Sequence, residues 1–316
     1  MVAPDDEALE THVVRPEEAG ERLDRILATR DPDRSRAAYQ RWIEEGRVTL
    51  DGAPTKAKAR PREGQRVEVR PAPPPTTEAV PQDIPLTVLY EDAHLVVVDK
   101  PAGMVVHPAP GHPDGTLVNA VLHHFGWLPG DDPERPGIVH RLDALTSGVM
   151  VVARSEEAKR GLVARFQAHD IERAYLALAT GHPPARVTWE TLHGRHPRDR
   201  KKLSSKVRRG KRAVTHLEVV ERLAGAALVR CTLETGRTHQ IRVHCADHGF
   251  AILGDPVYGR TPKDPRLRES AALLGRQALH AAVLGFVHPV TGVPLRFESP
   301  LPEDFRRALA RLRDGS

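Results

Sequence analysis

The spacing of apolar positions divides the chain into two unlike stretches. Leu23, Ile26 and Leu27 fall on one helical face. Trp42 and Ile43 belong to a second short helix that should stop at Gly46, because glycine is favoured just past a helix end. Val48-Thr49-Leu50 reads as a strand and Asp51-Gly52 as a hairpin turn. Arg66-Val67-Glu68-Val69-Arg70 then alternates as a half-exposed strand does. A proline-rich stretch follows, Pro71-Ala72-Pro73-Pro74-Pro75, and should be extended and semi-rigid. Beyond it the pattern changes. Leu86 to Tyr90, Leu95 to Val98 and Tyr175 to Leu178 are strand-like, and the unbroken apolar run Val149 to Ala153 reads as a buried strand. Near the end, Phe305, Leu309 and Leu312 share one face of an amphipathic helix. Periodicity alone therefore predicts an α+β protein with no internal repeat and no Gly-rich nucleotide loop. The expected layout is a flexible tail over 1–11, a small domain over 12–72, a proline-rich linker over 73–83 and a large domain over 84–316.

Composition refines this picture. The 316 residues leave room for one large and one small domain. Aromatics make up only 4%, so the core must lean on Val, Leu, Ala and Ile. A net charge of +5 points to an acidic partner, with nucleic acid first. The distribution of charge sharpens that expectation: the segment from Arg195 to Arg212 carries a dense basic run that includes Lys201, Lys202, Arg208 and Arg209. Such a loop suits a phosphate backbone, although a charge run is also what a merely solvated loop looks like. Two cysteines, Cys231 and Cys245, make no disulfide framework and suit a reducing cytoplasm. The acidic first residues do not resemble a signal peptide, and no apolar run is long enough to cross a membrane. The histidines, His239 and His244 among them, lack Cys or Glu partners at ligand spacing, so no metal is expected.

The candidate chemistry begins at His140-Arg141-Leu142-Asp143-Ala144-Leu145-Thr146-Ser147-Gly148, which leads into the strand from Val149. A carboxylate held at a strand edge beside a cation should be ionised. Four further blocks flank it: Lys100-Pro101-Ala102-Gly103-Met104-Val105-Val106-His107-Pro108, Arg173-Ala174-Tyr175-Leu176-Ala177, Thr235-Gly236-Arg237-Thr238-His239-Gln240-Ile241-Arg242-Val243-His244, and Leu253-Gly254-Asp255-Pro256-Val257-Tyr258-Gly259. Five blocks in this order resemble the RluA/RluD family of RNA pseudouridine synthases. The stretch Pro108 to Thr116 is similar to the RluD branch, which acts on large-subunit (23S) ribosomal RNA. The helix, helix and hairpin order of the small domain resembles the S-four RNA-binding module.

The resemblance implies a mixed, largely antiparallel sheet with flanking helices and a basic cleft. It implies an isomerase that breaks the base–sugar bond of a uridine, turns the uracil and rejoins it through carbon, with no cofactor or metal. Asp143 takes the role of the reacting carboxylate. Arg242 is its counter-ion, with Arg237 as the fallback or a contact to RNA. Tyr175 stacks on the uracil and can take up the C5 proton. Arg141 fills the place of the flipped base, and His140 shapes the same loop and contacts RNA. On the small domain the RNA face includes Arg34, Arg36, Arg41, Arg47, Lys56, Lys58 and Arg60. The chain departs from the family in having Ala144-Leu145 where relatives often carry Lys-Asp, which removes two charges near the site. A monomer in the cytoplasm is expected. The rival reading is a non-catalytic RNA-binding factor on the same fold, and losing Asp143, Tyr175 or Arg242 would have favoured it. A hydrolytic base-removing enzyme would need a positioned water and a general base that the sequence does not announce.

Overall fold

The structure is a computed structural model that describes residues 9–31, 36–71, 79–109, 111–130, 135–199 and 202–314. The chain forms two compact units that divide near Thr76.

The first unit is a four-stranded sheet with two helices. β1 (Glu10–Val13) pairs with β4 (Arg66–Val69), which pairs with β2 (Val48–Leu50), which pairs with the short β3 (Ala53–Pro54). α1 (Leu23–Arg30) and α2 (Arg36–Glu44) place Leu23, Leu27, Tyr39, Trp42 and Ile43 against Val48, Val67 and Val69. The β2–β3 turn needs positive φ at both central residues, and Asp51 (φ 51) and Gly52 (φ 77) supply it. Strand β1 begins at Glu10, so two residues read as tail from the sequence are paired in the sheet; the pairings Glu10 with Val69 and Thr11 with Glu68 hold them. Residues 1–8 lie outside the described residues.

The second unit is built on a ten-stranded sheet in the order β10-β9-β11-β12-β8-β13-β7-β6-β5, with β14 paired to β13. Its strands are β5 (Thr87–Glu91), β6 (Leu95–Lys100), β7 (Ser147–Ala153), β8 (Glu172–Thr180), β9 (Arg186–Arg195), β10 (Leu203–Ser204), β11 (Lys211–Leu223), β12 (Ala226–Leu233), β13 (Leu279–Val287) and β14 (Pro294–Glu298). Its helices are α3 (Leu117–Phe125), α4 (Glu156–Ala168), α5 (Gln240–Asp247), α6 (Pro265–Leu274) and α7 (Glu303–Arg313). Neighbouring strands run antiparallel except β7 and β13, which are parallel. The sheet is thus mixed and largely antiparallel, as the motifs imply.

The apolar runs of β6 and β7 are continuous because both faces are covered. On one face Leu95, Val97, Val149 and Val151 meet Ala158 and Leu162 of α4. On the other Val96, Val98, Met150 and Val152 meet Leu117 and Val121 of α3. Helix α7 lays Phe305, Leu309 and Leu312 on the core formed by β8, β12 and β13. The stretch read as linker is shorter than 73–83. Ala79 is buried, the Gln82 amide donates to the Asn119 carbonyl, and Asn119 Nδ2 donates to the Val80 carbonyl, so 79–83 belong to the second unit.

Candidate active site

A cleft of about 490 Å³ opens where the loop before β7, the middle of β8 and the start of α5 converge. Each element delivers polar side chains to it. In β8, alternation sends Arg173 and Tyr175 to the same face, and both line the cleft. The loop before β7 carries Arg141 and Asp143, and α5 carries Arg242.

The Asp143 loop is clamped from below. Lys100, fully buried, donates from Nζ to the carbonyls of Pro101 (2.8 Å), Met104 (2.9 Å) and Ala144 (3.1 Å). The Gly103 amide reaches the same Ala144 oxygen. Arg276 donates to the Leu145 carbonyl while two hydrogen bonds to Asp304 hold its guanidinium, and Gln277 donates to Thr146 Oγ1. Gly148 (φ 117) lets β7 approach β13 closely: a Cβ there would meet the Ala281 carbonyl oxygen at 2.2 Å. The loop therefore presents Asp143 from a rigid seat. Burial, and after it the positive charge of Arg276, pull the Lys100 ammonium down to about 7. The three carbonyl acceptors favour the charged form.

Helix α5 is seated just as firmly. The buried Gln240 accepts from the Arg237 amide and Thr235 Oγ1, and donates to the Val214 carbonyl and Thr215 Oγ1. His244 bridges Thr191 and Thr215 through its two ring nitrogens. Arg242 is 4% exposed and fans out between two carboxylates. Its Nη1 donates to Asp143 Oδ2 at 2.8 Å, Nε to Asp255 Oδ2 at 2.7 Å and Nη2 to Asp255 Oδ1 at 3.0 Å. Asp255 also accepts from the amides of Val257 and Tyr258. Burial works against both charges of the Arg242–Asp255 pair, and their mutual hydrogen bonds overcome it: Asp255 is held below the usual carboxylate range and Arg242 above its ordinary value.

Asp143 thus has one oxygen on Arg242 and the other facing His239, whose Nε2 lies 3.8 Å from Oδ1. The Tyr175 hydroxyl makes no hydrogen bond among the described residues. Burial pushes it up, so it keeps its proton at neutral pH. Arg173 donates from Nη2 to the Glu234 carbonyl at 2.8 Å and lies over the Phe166 ring. The cleft wall therefore carries Arg141, Arg173, Arg237 and Arg242 against one carboxylate of its own, Asp143, and is basic.

The structure gathers Asp143, Tyr175, Arg242, Arg141, Arg237 and His140 into this one cleft. Arg141 is exposed at its rim, and Arg237 donates from Nε to the Arg212 carbonyl. His140 is engaged by the fold: Nε2 accepts from the Val151 amide at 3.1 Å, and the ring stacks on Phe166. Burial, and then Arg173, pull it down to about 3, so it is neutral. In the basic segment Lys202, Arg208 and Arg209 are at least partly exposed, while Lys201 and Arg200 lie outside the described residues. On the first unit Arg36 donates to Asp24, Arg41 lies 3.9 Å from Glu45, and Arg47 lies 3.4 Å from the same residue. Arg34 lies outside the described residues. Sequence reasoning missed Lys100, Arg173, His239, Asp255 and Tyr258 as parts of the site. All five stand inside the motif blocks, which was the available signal. Among the described residues no cluster of three or more His, Cys, Asp or Glu could hold a metal ion, and no helix is long and apolar enough to cross a membrane.

The chain is similar to known proteins along nearly its whole length. Residues 94–247 match the family model described as RNA pseudouridylate synthase, and residues 21–67 match the S4 domain. A Xanthomonas campestris protein named ribosomal large subunit pseudouridine synthase D is 46% identical over 318 residues, covering 99% of this chain and 95% of that one. A Chloroflexus aurantiacus protein named as an uncharacterized RNA pseudouridine synthase is 48% identical, covering 96% and 93%. Among solved structures, human RNA pseudouridylate synthase domain containing 1 is 27% identical with a TM-score of 0.55, covering 73% of this chain and 87% of that one.

Proposed function

The chain belongs to the RNA pseudouridine synthase family, and we propose that it isomerises uridines of large-subunit ribosomal RNA with Asp143 as the reacting carboxylate. The observation that carries the assignment is the pairing of Asp143 Oδ2 with Arg242 at 2.8 Å beside Tyr175, with Oδ1 left toward the open cleft. The guanidinium at 2.8 Å supplies the counter-ion that a largely enclosed carboxylate needs. The uridine is swung out of its stack into the cleft. Tyr175 offers a ring to lie against the uracil. Asp143 acts at the sugar C1′ as the N1–C1′ bond breaks. The uracil turns, C5 bonds to C1′, and the C5 proton is relayed through the Tyr175 hydroxyl to water while N1 takes up a proton. Substrate and product are isomers, so nothing is added or removed.

Arg141, exposed at the rim next to Asp143, takes the space the base vacates. Arg237 and the segment containing Lys202, Arg208 and Arg209 bind phosphates. Arg36, Arg41 and Arg47 on the first unit add contacts whose carboxylate partners must be exchanged for phosphate. The name of the Xanthomonas relative supports ribosomal RNA as the substrate. One chain supplies the whole cleft, which fits a monomer. Two buried thiols, Cys231 and Cys245, fit the cytoplasm.

Chemical mapping of pseudouridine in ribosomal RNA from cells with and without the gene tests the reading. Large-subunit sites should vanish with the gene and return with the intact protein. No change in any large-subunit site would move the substrate to another RNA.

A further inference from the structure

His239 is one of three residues other than glycine held at positive φ among the described residues, at φ 58 and ψ 20. L side chains rarely adopt that backbone, so its surroundings must hold it there. Its Nδ1 lies 3.0 Å from the Tyr258 hydroxyl, and the two rings meet edge to face. The Tyr258 oxygen accepts the Leu203 amide proton at 3.1 Å. With the Leu203 amide on one of its lone pairs, the hydroxyl is placed to donate its proton to His239 Nδ1. A neutral imidazole that accepts at Nδ1 carries its proton on Nε2. Nε2 is the atom 3.8 Å from Asp143 Oδ1, the oxygen Arg242 does not hold.

We propose that Tyr258 and His239 are positioning residues: they present an Nε2–H to the free oxygen of Asp143 and fix the orientation of its carboxylate. The inference rests on Asp143 being the reacting group. At 3.8 Å the donor limits the rotation of the carboxylate in the free enzyme, and the hydrogen bond that fixes it forms as the site tightens on the uridine. The ring is neutral at neutral pH, since burial, together with Arg242 and Arg141, outweighs the pull of Asp143 and Asp255. The line of contacts starts at Leu203 in β10, within the basic segment. Next to it Ser204 and Ser205 both donate to Asp247, the last residue of α5.

Nitrogen-15 spectra of the full-length protein labelled at histidine read the tautomer directly. In the wild type His239 should carry its proton on Nε2, and Tyr258→Phe, which keeps the ring, should abolish that preference. Single-turnover rates supply the second reading. Tyr258→Phe and His239→Asn, an asparagine being tolerant of left-handed backbone, should each slow isomerisation about tenfold, the worth of one hydrogen bond, with RNA affinity within about twofold. The double variant should be no slower than His239→Asn alone. A proton on Nδ1 in the wild type, undiminished rates in both variants, or multiplied losses in the double variant would overturn the proposal. If His239→Asn turns over normally while Asp143→Asn is dead, only this inference fails. If Asp143→Asn is active, the reading of Asp143 itself fails.

Discussion

Arg242 and Asp255 meet through two parallel hydrogen bonds, Nε to Oδ2 at 2.7 Å and Nη2 to Oδ1 at 3.0 Å, with both side chains buried. This fork fixes the plane of the guanidinium and points the remaining Nη1 at Asp143. Asp255 is therefore what makes Arg242 an oriented counter-ion. Asp255→Asn removes one charge of a buried pair, which costs about 3–5 kcal/mol. Chemical denaturation should show that loss of stability, and isomerisation should slow because Arg242 is no longer aimed. An unchanged unfolding midpoint would contradict the account.

Lys100 gives the site a pH dependence. In the unfolded chain it titrates near 10.5, and in the folded protein near 7. Between those values the unfolded state binds more protons, so this group makes stability rise with pH across that window. In Lys100→Met the rise between pH 7 and 9 should be flatter than in the wild type when unfolding free energies are compared. The variant should also isomerise more slowly, because the Ala144 and Met104 carbonyls lose the ammonium that ties them together. Equal slopes in the two proteins would show that Lys100 stays charged throughout.

The first unit depends on a different buried charge. Burial raises the Asp24 carboxyl, but hydrogen bonds from Arg22, Gln40 and Arg36 prevail and bring it to about 2. Its unfolded value is 3.8, so its stabilising contribution is complete above about pH 4 and is lost as pH falls through 2. Asp24→Asn should destabilise this unit at pH 7 and remove part of its sensitivity to acid below pH 4, measured by amide hydrogen exchange within 9–71. Because Arg36 is one of its partners, the same variant should alter RNA affinity more than it alters the chemical step.

Tyr175→Phe separates stacking from proton transfer. The hydroxyl has no hydrogen-bond partner among the described residues, so the variant should fold and bind RNA as the wild type does. If the hydroxyl accepts or relays the C5 proton, single-turnover isomerisation should slow by about 100-fold or more. A rate within about twofold of wild type would leave the ring with stacking alone.

The sheet, the two helices of the first unit and the grouping of Asp143, Tyr175 and Arg242 were legible because each rests on local pattern or on a contiguous motif. Alternation in Arg66–Val69, the Asp51-Gly52 turn and the unbroken run Val149–Ala153 all became the elements they suggest. What could not be read lies in long-range pairing. Nothing local announces that Lys100 would close on the Ala144 carbonyl, 44 residues on, or that Tyr258 would receive an amide proton from Leu203, 55 residues back. Proline content marked a linker too generously, because Asn119, far along the chain, captures the backbone at Val80 and Gln82. His140, expected from its motif to shape the loop and contact RNA, stacks its ring on Phe166 and accepts the Val151 amide at Nε2, partners that no local pattern announces.

The most direct test of the central claim compares wild type and Asp143→Asn on large-subunit ribosomal RNA carrying tritium at uridine C5, measuring tritium release and RNA affinity on the same preparations. Asparagine keeps the shape and can still accept from Arg242, so the variant should bind RNA as tightly as the wild type and release no tritium above background. Tritium release by Asp143→Asn at a rate near the wild type would contradict the account.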